Sequence, residues 1–370
     1  MKYYIIAGEA SGDLHASNLM KELKVLDASS DFRCWGGDLM KAQGGTLVKH
    51  YSELAFMGFT EVLMNLRTIF KNISLCKKDI LTYKPDVVIL VDYPGFNLRI
   101  AEFLKENNIK VFYYISPQIW AWKQSRVHKI KRVVDRMFVI LPFEEEFYKR
   151  FDYEVDFVGH PLLDAVENYS LQKSTIDLET DKPVIALLPG SRKQEISTML
   201  PIMLSMQQHF PEYRFVIAGA PSQNKEFYEE FTNGMNIQIV FNQTYELLQR
   251  SYAALVTSGT ATLETALFNV PEVVCYKGGA ISYTIARQLI KVKYISLVNL
   301  IMDREIVKEL IQQELNETNL KTELSKLLSG STRVKMLENY AVLRTMLGGS
   351  GASEKTAVRM INYLKNQKLI

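Results

Sequence analysis

Apolar residues gather in short unbroken runs along the first 160 residues, at 3–7, Val87–Val91 (VVILV), Val111–Tyr114 (VFYY) and 137–140 (MFVI), each closed by turn residues. Segments of helical period separate them. Unbroken runs, unlike alternating ones, suit strands covered on both faces, so the pattern predicts a parallel sheet flanked by helices. A second series begins at Val184–Leu188 (VIALL) and continues at 214–218, 237–240, 253–256 and 272–275, with helical stretches such as 260–268 between them. From Gly159-His160-Pro161 to Asp181-Lys182-Pro183 the chain is polar and weakly patterned, which reads as an interdomain linker. Beyond Asp303 the pattern turns mostly helical and ends in an amphipathic helix at 353–365, with Ala357, Val358, Met360, Ile361 and Leu364 as its apolar residues.

The fold class predicted is therefore α/β, with two Rossmann-like lobes at 1–165 and 166–345 and a C-terminal segment at 346–370 whose helix packs back on an N-terminal lobe, its own or a partner's. A length of 370 residues suits two cores, since domains usually run ~100–200 residues. Open parallel sheets bind ligands outside the carboxyl ends of their strands, so chemistry is expected just after strands and in a cleft between the lobes.

Composition narrows the function. The 47% apolar and 23% charged residues are those of an ordinary globular protein. Cys34, Cys76 and Cys275 are too few and too scattered for a disulfide frame or a metal site, and fit a reducing compartment. The apolar stretch before Glu9 is too short for a signal peptide, and no run approaches the ~18 residues of a spanning helix, so membrane contact is expected only at the periphery. A net charge of +3 is too mild for a nucleic-acid binder. Locally, however, Lys123, Arg126, Lys129, Lys131, Arg132 and Arg136 face only Asp135, a field of about +5. There is no Asp-x-Asp pair and no clustered histidine, so neither a metal nor any other cofactor is expected.

Four turns carry candidate chemistry. Gly8-Glu9-Ala10-Ser11-Gly12-Asp13 follows the first run; its glycines permit a tight turn, but its carboxylates would repel a pyrophosphate, which favours a hydroxyl-rich ligand. Asp92 follows Val87–Val91 directly, where burial would suit it to act as a general base. Gly190, Ser191 and Arg192 offer free N–H groups and a guanidinium fork for phosphate. Ser258, Gly259 and Thr260 open a helix in which Glu264, one turn in, can hold ribose hydroxyls. Ordinary helix capping is the competing reading at each turn. Likewise the apolar stretch containing Phe56, Met57, Phe59, Leu63, Leu66, Arg67 and Phe70 reads either as an interfacial segment or as a plain core helix, as does 281–292.

Together these motifs resemble the lipid-A-disaccharide synthases, GT-B glycosyltransferases: AGEASGD at 7–13, LAFMGFTEVL at 54–63, DYPGFN at 92–97, SPQIWAWKQSRVHKI at 116–130, LLPGSRKQEI at 187–196, SGTATLE at 258–264 and YISLVNLIMDREIVKELIQ at 294–312. The resemblance implies an inverting transfer from UDP-2,3-diacylglucosamine to the 6-hydroxyl of 2,3-diacylglucosamine 1-phosphate, with an N-terminal acceptor lobe and a C-terminal UDP-sugar lobe. It implies Asp92 as base, with Arg192 on the diphosphate side and Glu9 joining them in the catalytic set. Gly190, Ser191, Arg192, Ser258, Gly259, Thr260, Glu264, Asn299 and Glu305 fall on the nucleotide side, and Gly8, Ser11, Gly12, Asp13, Gln118 and Arg126 on the acceptor side. A cytoplasmic enzyme resting on the inner face of the membrane through 54–70 is implied, as is a homodimer exchanging C-terminal segments. Relatives often carry an acidic residue where this chain has Gly95, so a second carboxylate beside Asp92 is not assumed. The rival readings are an epimerase or soluble-acceptor transferase of the same fold, and a two-lobed binding protein without chemistry.

Overall fold

A computed structural model describes residues 1–54, 66–170, 176–178, 181–232, 234–279 and 292–366. The chain forms two compact units, one made of Met1–Pro161 with Gly348–Ile370 and the other of Leu162–Leu347.

The first unit is built on β1 (Lys2–Ala7), β2 (Asp31–Gly36), β3 (Thr46–His50), β4 (Val87–Val91), β5 (Val111–Tyr114), β6 (Arg136–Val139) and β7 (Asp156–Phe157). All pair in parallel, in the order β3-β2-β1-β4-β5-β6-β7. Tyr3 through Ala7 and Val87 through Val91 are wholly buried, as strands sandwiched between helices must be. The sequence pattern overlooked β2, β3 and β7. β2 carries Arg33 in its middle, whose charge breaks the apolar run yet is satisfied by a fork onto Asp79, at 2.7 and 2.6 Å. Asp79 also accepts from the Tyr4 hydroxyl, which in turn accepts from Trp35 Nε1, both at 2.8 Å.

The second unit repeats the architecture with β8 (Val184–Leu188), β9 (Arg214–Gly219), β10 (Gln238–Phe241), β11 (Ser251–Thr257), β12 (Glu272–Tyr276) and β13 (Lys308–Ile311), ordered β10-β9-β8-β11-β12-β13 and again parallel. Beyond Asp303 the chain is mostly helical as expected, but β13 departs from that pattern: its sequence KELI has helical character, while Glu309 is buried and bonded, as described below. The supposed linker is also more structured than expected. Its first part is the helix Pro161–Ser170, and Ile176 and Leu178 are buried in the second unit's core.

The chain re-enters the first unit through Gly348, Gly349 and Gly351, all left-handed at φ +87°, +68° and +85°, conformations open chiefly to glycine. The helix Ala352–Asn366 then buries Ala357, Met360, Ile361 and Leu364 in the same core as Tyr3, Ile5, Val87 and Ile89. Arg359 and Tyr363 fasten it to Asp156 at 2.8 and 3.2 Å. Val358, expected on the apolar face, is 38% exposed. Among the described residues no helix is long and apolar enough to cross a membrane, and no cluster of three or more His, Cys, Asp or Glu is placed to hold a metal.

Candidate functional site

In each sheet the connections change direction at one point, the place where open parallel sheets bind their ligands. In the first unit this lies between β1 and β4, where Ala7 pairs with Val91. The next residues on the two strands are Gly8-Glu9 and Asp92. Asp92 and Tyr93 are left-handed at φ 43° and 48°, a conformation costing roughly 1–3 kcal/mol for a side-chain-bearing residue unless its surroundings fix it. They do. The Asp92 amide donates to the Tyr114 carbonyl at 3.1 Å, while its own carbonyl accepts from Asn97 Nδ2 at 2.7 Å and the Tyr113 hydroxyl at 2.5 Å. Burial holds the Tyr113 phenol far above its ordinary pKa, so it remains a donor.

The Asp92 carboxyl is pushed from 3.8 up to about 6, first by burial and then by the charge of Glu9, against a backbone bond from Tyr93 that pulls it down. A carboxylate tuned so close to neutrality is suited to take a proton from a hydroxyl. Glu9 is exposed at the start of the helix Ala10–Leu26 and caps no N–H with its side chain.

Three expected acceptor residues prove structural. A Cβ on Gly8 would run into the Tyr93 ring, which by itself accounts for glycine there. Gly12 is buried against Ala7. Asp13 is buried and spends both oxygens on the amides of Gly37, Leu39 and Met40 at 2.8–3.1 Å, capping the neighbouring helix Asp38–Ala42. Ser11 and Gln118 are exposed, and Arg126 opens the helix Arg126–Val133.

In the second unit the corresponding point lies between β8 and β11, and here a cavity of about 320 Å³ opens. Gly190, Ser191, Ser258, Gly259, Thr260 and Glu264 all line it. Gly190 is left-handed at φ +110°, with the Glu195 side chain folded against it. The helix Thr260–Leu267 has no side-chain cap, and among the described residues a Cβ on Gly259 would meet no atom within 4 Å, which leaves room for an anion beside the first-turn N–H groups. Glu264, mostly buried and raised above the ordinary carboxylate range by that burial, accepts from the Tyr245 hydroxyl at 2.9 Å. Arg192 stands at the start of the helix Lys193–Leu204, exposed and paired with Glu195 at 3.0 Å. An exposed pair of this kind is worth ~0–1 kcal/mol, so an entering anion can displace Glu195.

The sequence reading missed Thr244, Thr257 and Gly219-Ala220-Pro221 in this lining. Among the described residues the Thr257 hydroxyl is buried without a partner; in the sequence both Thr257 and Gly219-Ala220-Pro221 follow apolar runs already read as strands. Two assignments fall away. Asn299 is wholly buried and fully engaged: its amide nitrogen donates to the Val307 carbonyl and Glu309 at 2.9 Å, and its oxygen accepts from the amides of Ile306 and Val307 at 2.6 and 3.0 Å. Glu309 also accepts from the amides of Ile295 and Ser296 and from the Ser296 hydroxyl. Glu305 is exposed, paired among the described residues with Lys308 at 3.3 Å, and lies outside the cavity lining.

Of the expected membrane contacts, Phe56, Met57, Phe59 and Leu63 lie outside the described residues, as does nearly all of 281–292. Leu66 begins the helix Leu66–Tyr83, along which Arg67 is exposed and Phe70 is 59% exposed, with Arg99 over its ring.

Two Rossmann-like parallel sheets, each with one switch point, make this an α/β protein of GT-B fold. The fold is shared with a kitacinnamycin glycotransferase (TM-score 0.71, 12% identity, 98% of this chain and 99% of that one). It is shared too with the UDP-GlcNAc 2-epimerase of Neisseria meningitidis (TM-score 0.62, 13% identity, 99% and 100%). Within that class the chain belongs to the lipid-A-disaccharide synthetase family, whose model matches residues 3–359. The lipid-A-disaccharide synthase of Syntrophus aciditrophicus is 40% identical over 98% of this chain and 97% of its own length, and that of Geobacter metallireducens 37% identical over the same shares.

Proposed function

We propose that this chain is a hexosyltransferase of lipid A synthesis that moves 2,3-diacylglucosamine from UDP to the 6-hydroxyl of 2,3-diacylglucosamine 1-phosphate. The observation that carries the reading is the pairing of chemistries at the two switch points. One holds a carboxylate raised to about 6 and fixed in a left-handed turn, and the other an uncapped helix end beside an arginine and a buried glutamate.

In this reading Asp92 removes the proton from the acceptor's hydroxyl as its oxygen attacks the anomeric carbon from the face opposite the diphosphate. The new glycosidic bond forms as the bond to the diphosphate breaks, which inverts the anomeric centre and frees UDP. The charge developing on the departing diphosphate falls to Arg192, released from Glu195, and to the N–H groups of Gly259 and Thr260. Gly190 and Ser191 supply further amides, and Glu264 holds the ribose hydroxyls. Glu9 acts through its charge, keeping Asp92 basic near neutrality. Ser11 and Gln118 are the exposed polar groups assigned to the acceptor in the first unit. A cytoplasmic location at the membrane surface, contact through 54–70, and a homodimer belong to the same proposal. They draw on the acylated substrates and on the exposed Arg67 and Phe70.

The test is UDP release and product mass with purified donor and acceptor, each with and without acyl chains. UDP formed only when both acylated sugars are present, together with a disaccharide 1-phosphate, is the expected result. UDP formed from the donor alone, or a product epimerised at C2, would remove the assignment.

A further inference from the structure

We infer that Lys123 and Arg126, gathered on the ring of Trp122, form a subsite for a phosphate monoester and read the 1-phosphate of the acceptor. This rests on the acceptor assignment above and names the groups that distinguish that acceptor from an uncharged sugar.

The basic segment after β5 looks uniform in sequence, but its members differ in what they do. Lys129 and Arg132 share Glu102, at 2.8 and 3.4 Å. Lys131 donates to the Phe151 carbonyl at 3.0 Å, and Arg136 stacks on Tyr363 at 4.0 Å. Lys123 and Arg126 remain, and among the described residues neither meets a carboxylate. Both instead lie over Trp122, at 4.9 and 5.1 Å from the ring centroid. That indole is 47% exposed.

Two like charges on one ring repel each other, and a large aromatic surface left in water is costly; an anion between the cations offsets the repulsion. Stacking fixes the plane of the Arg126 guanidinium and leaves its edge N–H groups to form a two-pronged contact with phosphate, while Lys123 adds a point charge. The position suits the acceptor. The loop leaves the carboxyl end of β5, where Tyr114 pairs with Val91, the residue before Asp92. Arg126 is near enough for its charge to act on the phenol of Tyr113, whose hydroxyl holds the Asp92 carbonyl. Because the nucleotide diphosphate is assigned to the second unit, the anion left for these cations is the phosphate on the acceptor sugar.

The experiment compares acylated glucosamine with and without its 1-phosphate in the full-length protein. In Lys123→Ala and Arg126→Ala, kcat/KM for the phosphorylated acceptor should fall about ten- to hundred-fold each, the loss of one charge-assisted contact. The phosphate-free acceptor should lose less than about two-fold, so that the preference collapses. Arg126→Lys should recover part of it, and Trp122→Leu should weaken it by removing the platform. UDP affinity, read by calorimetry, checks that the fold is intact. An unchanged preference overturns the inference. So does loss of binding to phosphatidylglycerol vesicles with the preference intact, which would make these cations a membrane headgroup contact. Should the wild-type protein transfer to neither acceptor, the functional proposal fails, and the subsite is judged by titrating glucosamine 1-phosphate against tryptophan fluorescence. A saturable change lost in Arg126→Ala supports it, and no change in the wild type overturns it.

Discussion

Replacing Asp92 by asparagine should slow turnover sharply and make the protein more stable, and the two effects have one origin. The carboxyl titrates at about 6 in the folded chain against 3.8 in the reference state, chiefly because it is buried. Between those values the folded protein binds more protons than the unfolded one, so stability falls as pH rises through that window; above about 6 the folded state carries the full cost of the charge. At 1.36 kcal/mol per pH unit this amounts to about 2–3 kcal/mol. The substituted amide carries no charge, and asparagine tolerates the left-handed turn. The variant should therefore unfold several degrees later than wild type at pH 8, and the gain should vanish by about pH 4, where both side chains are neutral. Loss of a general base should lower kcat by about 10²–10⁴-fold. Denaturant melts at pH 4, 6 and 8 beside UDP-release rates give both readings. A variant less stable than wild type at pH 8, or one whose kcat falls by less than about ten-fold, would refute the reasoning.

Three further outcomes follow from the same geometry. Tyr113→Phe removes one of the two bonds on the Asp92 carbonyl and should reduce kcat/KM by up to about ten-fold with UDP affinity unchanged, since the hydroxyl is worth ~0.5–1.5 kcal/mol net. Asp13→Ala strands three amides and should cost about 2–5 kcal/mol in a denaturant melt; a change in acceptor KM with stability intact would restore Asp13 to the binding site. Glu264→Ala should raise the Kd for UDP about ten- to hundred-fold while leaving the Kd for inorganic pyrophosphate within about two-fold, if its work is on the ribose.

The strands before Asp92, Gly190 and Ser258 were legible because an unbroken apolar run followed by a small-residue turn is a local signal, and each of those turns does sit at a switch point. What stayed hidden depends on partners far away in sequence. Gly8 is explained by a ring 85 positions later, and Asp13 by amides beyond β2. Asn299 and Glu309 look like ordinary solvated residues until their mutual bonds are seen, and the same hidden pairing made β13 read as helix. Charge counting found the basic segment after β5, but only the contacts of its members separate the two cations gathered on Trp122 from the pair on Glu102, from Lys131 on the Phe151 carbonyl and from Arg136 on Tyr363.

Because Ala352–Asn366 completes a core begun by Lys2–Ala7, the order of synthesis runs against the order of assembly. As the ribosome makes the chain, the nascent amino-terminal sheet waits with one flank bare while the whole intervening unit emerges and can fold by itself. The helix Ala352–Asn366 then acts as a closing stitch. A nascent chain that has not yet reached Ala352 leaves bare the oily flank that this helix will cover.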